Sequence, residues 1–199
     1  MPRSLARTPP AWAEAMVPFA DELLVEQAQL EKKAASAALT FLFKYPDELA
    51  FARPLAELAR EELEHFALAV AELEARGIAR RRLPPSPYAE RLAAWLRAAE
   101  PERLLDALLV AAMIEARSAE RMHLLAVAMR EREPRLAEFW QGLVASEARH
   151  QAVYLGLARQ RFGAATVEAR LDELFAHEAE VLQRAAGMPR LHDGAVPCA

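Results

Sequence analysis

Four glutamates and two histidines interrupt otherwise apolar helical stripes in this chain of 199 residues. Glu31 falls between Leu30 and Ala34, Glu62 and His65 between Ala59 and Phe66, Glu115 between Ala112 and Ala119, and Glu147 and His150 between Leu143 and Tyr154. A carboxylate buried without a partner carries an effective penalty of several kcal/mol. The same stripes contain no Lys or Arg, so a core holding these six groups needs positive charge from elsewhere, and two divalent metal ions would supply it. Residues three apart on a helix are separated by about 300° of rotation and share a face. Glu62 with His65, and Glu147 with His150, can therefore each grip an ion, while Glu31 and Glu115 each add a lone carboxylate. One Glu from each of two helices and Glu-x-x-His from each of two others is the ligand set of carboxylate-bridged di-iron and di-manganese proteins. Mixed imidazole and carboxylate donors also suit iron better than calcium or magnesium.

With 24 Glu and five His in the chain, one Glu-x-x-His match means little, and three occur. The third, Glu120 with His123, starts five residues beyond Glu115, an effective 140° or so round the helix, and is expected to flank the site or support it from behind. Tyr154, one turn beyond His150, is a further candidate for a supporting hydrogen bond. The order Glu, Glu-x-x-His, Glu, Glu-x-x-His along four successive helices is what separates this pattern from accident.

The elements that must carry these residues follow from apolar spacing. Leu23, Leu24, Leu30, Ala34, Ala38 and Phe41 mark one buried face, giving a first helix over 13–44 that Pro46 ends, with Asp47 placed to cap a short turn. A second helix opens at Pro54 and stops at Gly77. Residues 78–100 form a long crossover with a small helix over 88–99. Pro101 opens a third long helix, and Pro134 both stops it and starts a fourth that Gly163 ends. A fifth helix, capped by Thr166, covers about 166–186, and a loose tail follows over 187–199. Two short-linked helix pairs joined by one long crossover is ferritin-like connectivity. The expected fold class is thus all-α: a ferritin-like four-helix bundle, about 13–162, with an added C-terminal helix in a single domain of 199 residues. The three Trp, the Met residues and Phe41, Phe66 and Phe139 are expected as packing groups, and His177 and His192 as surface residues.

Composition agrees. Only 6 Gly among many Ala, Leu, Glu and Arg argues against sheet folds. The lone Cys198 cannot form an internal disulfide, and no apolar run approaches the roughly 20 residues of a membrane span. The cytoplasm, with no membrane association, is the default expectation.

Four segments carry a family likeness: Glu31-Lys32-Lys33-Ala34-Ala35, Arg60-Glu61-Glu62-Leu63-Glu64-His65-Phe66, Ile114-Glu115-Ala116-Arg117-Ser118 and Ser146-Glu147-Ala148-Arg149-His150. Together they resemble the bacterial tRNA hydroxylases that act on 2-methylthio-N6-isopentenyladenosine. The resemblance spans about Glu26 to Phe162. It implies a non-haem di-iron monooxygenase that inserts one oxygen atom from O2 into the isopentenyl side chain of the adenosine beside the anticodon. It implies metal-ligand roles for Glu31, Glu62, His65, Glu115, Glu147 and His150; no separate protein acid or base is assigned. Two iron ions, O2 as co-substrate and an external electron donor, a reductase or ferredoxin, follow from the same likeness. The prenyl group would need an apolar approach, for which Leu39, Phe41 and Phe43 are candidates. The oligomer is left open between monomer and dimer.

A net charge of -4 looks unfavourable for tRNA. Two ferrous ions would offset the four ligand carboxylates, however, so local clusters matter more. Lys32 and Lys33 adjoin Glu31, Arg80, Arg81 and Arg82 sit in the crossover, and Arg130, Arg132 and Arg135 gather at the turn between the third and fourth helices; the first two clusters are the preferred phosphate contacts. On the residues alone, a ferritin-like iron store or peroxide-reducing protein not acting on RNA remains an alternative. A metal-free structural bundle is a second one.

Overall fold

A computed structural model describes residues 5–84, 86–184 and 189–192. Among them, seven α-helices and one 3-10 turn account for all regular structure. They are α1 (Pro10–Met16), α2 (Ala20–Lys44), α3 (Leu49–Ala75), α4 (Pro87–Ala93), α5 (Glu102–Met129), α6 (Pro134–Phe162) and α7 (Ala164–Leu182). The all-α class and the ferritin-like connectivity are as expected, with α2–α3 and α5–α6 as the two short-linked pairs and α7 added. The chain divides into two compact units, one formed by Phe19–Pro84 and the other by Met1–Pro18 with Pro85–Ala199.

The smaller unit is the α2–α3 hairpin. Pro46 forces Tyr45 out of the helical region, to φ -126° and ψ 59°, which ends α2. Helix α3 begins at Leu49, not at Pro54 as expected, and Pro54 lies inside it. Burial explains the difference: Phe51 and Leu55 are almost completely covered, and holding that first turn helical outweighs the hydrogen bond that proline cannot donate. At the other end Gly77 adopts φ 68°. Ile78 donates to the Leu73 carbonyl at 2.9 Å and Gly77 to that of Glu74 at 3.0 Å, the paired bonds of a Schellman stop.

The larger unit holds α5 against α6, with α1, α4 and α7 packed around them. The single first helix expected over 13–44 is in fact broken. Pro18 has no N–H to continue α1, a 3-10 turn covers Val17–Phe19, and α1 packs on α5 instead. Gly163, at φ 82°, separates α6 from α7 in one residue. Helix α7 therefore starts at Ala164, and Thr166 sits within it and not at its cap. It ends at Leu182; residues 185 and 186 of the expected helix, much of the expected tail and Cys198 lie outside the described residues. The part of the tail that is described is not loose, since Arg190, Leu191 and His192 are buried.

A buried polar network fixes this unit. The Arg117 guanidinium grips Glu178 with two bonds, Nε at 2.9 Å and Nη2 at 3.0 Å, and the Tyr88 hydroxyl donates to the same carboxylate at 3.0 Å. Arg117 also pairs with Glu120, which accepts from the Thr8 amide at 2.9 Å. Arg121 donates to the Leu191 carbonyl at 2.6 Å; burial, then the neighbouring Arg117 charge, lower its pKa to about 10. Burial likewise pushes the Glu178 carboxyl up, although Arg117 opposes it. Glu178→Ala should leave the buried Arg117 with only the half-buried Glu120 to balance its charge and cost up to about 3–5 kcal/mol, read as a lower urea midpoint.

Asp106 is another buried acid of this unit, held by Arg97 (2.6 Å) and Arg170 (2.8 Å). Burial raises its pKa, but the hydrogen bonds from both arginines outweigh that and leave it below its ordinary value of 3.8. A depressed folded pKa means stability that is present above the unfolded value and lost as pH falls through the folded one. Asp106→Asn should therefore flatten the loss of stability below about pH 4, measured by denaturation at a series of acidic pH values.

Candidate metal centre

Each unit brings one triad of donors together. In the hairpin, α2 supplies Glu31, and α3 supplies Glu62 and His65 one turn apart on the face the apolar stripe defines. All three are buried. The His65 Nδ1 lies 3.6 Å from a Glu62 oxygen and 3.9 Å from a Glu31 oxygen. One donor atom from each residue falls within 4.8 Å of the other two, a span that one bound cation can occupy. Gln27, one turn before Glu31, donates from Nε2 to Glu31 Oε1 at 2.5 Å. That bond fixes one carboxylate oxygen and leaves Oε2 on the side of His65.

The larger unit repeats the arrangement. Glu115 projects from α5, and Glu147 and His150 from α6, all buried. Their donor atoms also lie within 4.8 Å of one another. Tyr154 stands one turn beyond His150 and is fully buried. Ser146, next to Glu147, turns its hydroxyl to the Leu143 carbonyl at 2.7 Å, so it is taken up within its own helix.

The donor set is itself a test of fit. Each triad offers two carboxylates and one imidazole in a buried setting, and two carboxylates so close repel each other unless a cation lies between them. Nitrogen and oxygen donors without thiolate match iron and not a soft-metal site.

Of the other expected site residues, Glu120 and His123 go separate ways. Glu120 is held by Arg117 and Thr8, whereas His123 is exposed with Nδ1 3.3 Å from Gln141 Oε1. In the hairpin unit Lys32 and Arg80 converge on Phe66, their charges 5.2 Å and 5.9 Å from the ring centroid. Lys33, Arg81 and Arg82 are exposed. Of the apolar candidates Phe41 is buried, while Leu39 and Phe43 are exposed.

Two buried arginines, Arg117 and Arg121, escape a reading of the sequence because they lie on a different face of α5 from Glu115. Their spacing from it, two and six residues, is the only signal the sequence carries. His192 is corrected from surface to core: it stacks on Tyr88 at 5.2 Å and its Nε2 lies 3.0 Å from Ser118 Oγ. His177 is half-buried and stacked on Trp95 at 4.5 Å. Gln27 falls in the apolar stripe of α2, and its four-residue spacing from Glu31 is the one sequence sign of the bond between them.

Comparison with known proteins places these observations. The family model described as tRNA-(MS[2]IO[6]A)-hydroxylase (MiaE) matches residues 4–193. The tRNA 2-(methylsulfanyl)-N(6)-isopentenyladenosine(37) hydroxylase of Pseudomonas putida is 37% identical over 187 residues, covering 94% of this chain and 90% of the relative. The protein of the same name from Salmonella typhimurium is 37% identical over 142 residues, 71% of this chain and 51% of the relative. Among solved structures, a protein with aldehyde deformylating oxygenase activity from Synechococcus superposes with a TM-score of 0.90 at 41% identity, covering 96% of both chains.

Proposed function

The chain belongs to the tRNA-(ms2io6A) hydroxylase family, and we propose that it works through two iron ions with Glu31, Glu62, His65, Glu115, Glu147 and His150 as the protein ligands. Its reaction is hydroxylation of 2-methylthio-N6-isopentenyladenosine in tRNA. Membership in a hydroxylase family sets aside the iron-store and metal-free readings that the residues alone left open. The observation that carries the ligand assignment is the pair of buried donor triads, each compact to within 4.8 Å.

Bound iron would supply the activation of O2 that side chains cannot perform. The protein's own part is to bind, orient and exclude water. Neutral imidazoles and ionised carboxylates are the binding forms, so loading the site releases protons and weakens in acid. Gln27 restrains Glu31, and the buried Tyr154 hydroxyl stands close enough in sequence to orient groups on the His150 face. Phe41 is the remaining buried candidate for contact with the prenyl chain. Lys32, Lys33, Arg80 and Arg82 would hold RNA phosphates, and Arg81, paired with Glu22, would fix the run between them. Electrons would come from a separate reductase or ferredoxin, and the cytoplasm, where tRNA is modified, is the proposed location. Among the described residues no helix is long and apolar enough to cross a membrane.

Nucleoside mass spectrometry of tRNA from cells with and without the gene tests this reading. The hydroxylated prenyl-adenosine should be present only with it.

A further inference from the structure

One depression in the hairpin unit has a composition that metal binding does not explain. It encloses about 300 Å³ and is lined by Val25, Ala28, Gln29, Lys32, Phe66 and the Arg80–Arg82 run. Its aromatic floor is covered by cations, with the Lys32 ammonium and the Arg80 guanidinium both within cation–π range of Phe66. The arginine run is held in place from its middle. Gln29 Nε2 donates to the Arg81 carbonyl at 3.0 Å, and the Arg81 guanidinium pairs with Glu22 at 3.3 Å. Arg81 is thereby an anchor, and Arg80 and Arg82 flank it as charges available to a ligand. Phe66 directly follows His65 on α3, so the depression and a proposed metal ligand are carried by the same helical turn, on faces about 100° apart.

Cations around a flat aromatic surface match a ligand that is both anionic and planar. A nucleotide is such a ligand: the phosphodiester takes the charges, and the base takes the ring. A volume of about 300 Å³ is at the small end of ligand pockets and admits one nucleotide, not a duplex. A base can reach the ring only if it has left its stack, which selects a single-stranded loop. Resting on the tRNA reading above, we propose that this depression is a pocket for one unpaired nucleotide flanking the target adenosine, with its base stacked on Phe66 and its phosphate held by Lys32, Arg80 and Arg82. The nucleobase displaces a cation from the Phe66 face, and that cation turns to the phosphate. Because every base has such a face, the pocket selects an unpaired loop without reading its sequence.

The test uses full-length protein loaded with ferrous iron and an anticodon stem-loop RNA carrying 2-methylthio-N6-isopentenyladenosine, with affinity measured by fluorescence anisotropy between about 50 and 200 mM salt. Phe66→Leu should weaken binding about 5- to 150-fold and leave the salt slope unchanged. Phe66→Trp should bind within about two-fold of wild type because the stacking face is kept. The double variant Arg80→Gln/Arg82→Gln should reduce the salt slope by about 0.7 for each phosphate it no longer neutralises. A fully paired RNA of equal length should be indifferent to Phe66→Leu. Iron content measured alongside separates these effects from damage at His65. If Phe66→Leu loses iron, Phe66→Trp and the arginine variant decide alone. Wild-type affinity in Phe66→Leu with iron retained, weakening in Phe66→Trp with iron retained, or an unchanged salt slope in the arginine variant, overturns the pocket. Hydroxylation of the stem-loop by wild-type enzyme in that case leaves the reaction standing, whereas no hydroxylation by the iron-loaded wild type removes both.

Discussion

Glu115→Ala and His150→Ala should each deprive the purified protein of bound iron and of hydroxylation, and Glu62→Ala in the other unit should do the same. The expected loss exceeds the 10- to 100-fold in affinity or activity that mutation of an outer-shell partner typically costs, because a direct donor is removed. Choosing variants from both units matters. If each triad bound its own independent ion, a substitution in one unit would leave about half of the iron in place. Thermal denaturation gives a second reading of the same prediction. Close carboxylates within each triad repel one another without a cation, and a ligand that binds only the folded state at 100 times its Kd adds about 2.7 kcal/mol. Wild-type protein should therefore melt at a lower temperature after chelation, and that difference should be missing in His150→Ala. Full iron content in all three variants removes the ligand assignment.

Deleting the gene should abolish the hydroxylated prenyl-adenosine from tRNA, with the unhydroxylated nucleoside accumulating in its place. The effect is all or none because the allylic methyl groups of the prenyl chain do not oxidise unaided at a comparable rate, and enzymes typically supply about 10⁶-fold or more over the uncatalysed reaction. Returning the wild-type gene should restore the modification, and returning His150→Ala should not. Identical nucleoside profiles in deleted and intact strains reject the substrate while leaving the metal question untouched.

The clustering of buried glutamates and histidines is legible because ionisable groups in an apolar stripe are costly, and that cost shows in the sequence itself. Helix ends set by local chemistry are legible too: Gly77 stops α3 through its positive φ, and Pro134 opens α6 at its first residue. Where packing overrides local signals, the sequence misleads. Pro54 looks like a helix start, yet burial of Phe51 extends α3 by five residues before it. Thr166 looks like a cap, but Gly163 makes the turn in a single residue, and α7 begins earlier. His192 has no periodic neighbours to mark it as buried; its place depends on Tyr88 and Ser118, which are distant in sequence. Arg117 and Arg121 are invisible for the same reason, since their partners come from α7 and from both ends of the chain. Convergence of Lys32 and the arginine run on Phe66 likewise requires the fold, although each cluster is evident alone.

Iron content per chain decides the central point most directly. Protein loaded with ferrous iron without oxygen, freed of excess by gel filtration and assayed for metal and protein, should carry about two ions per chain. A chain that is folded, as judged by its circular dichroism, and retains no iron or a single ion contradicts the two-ion centre.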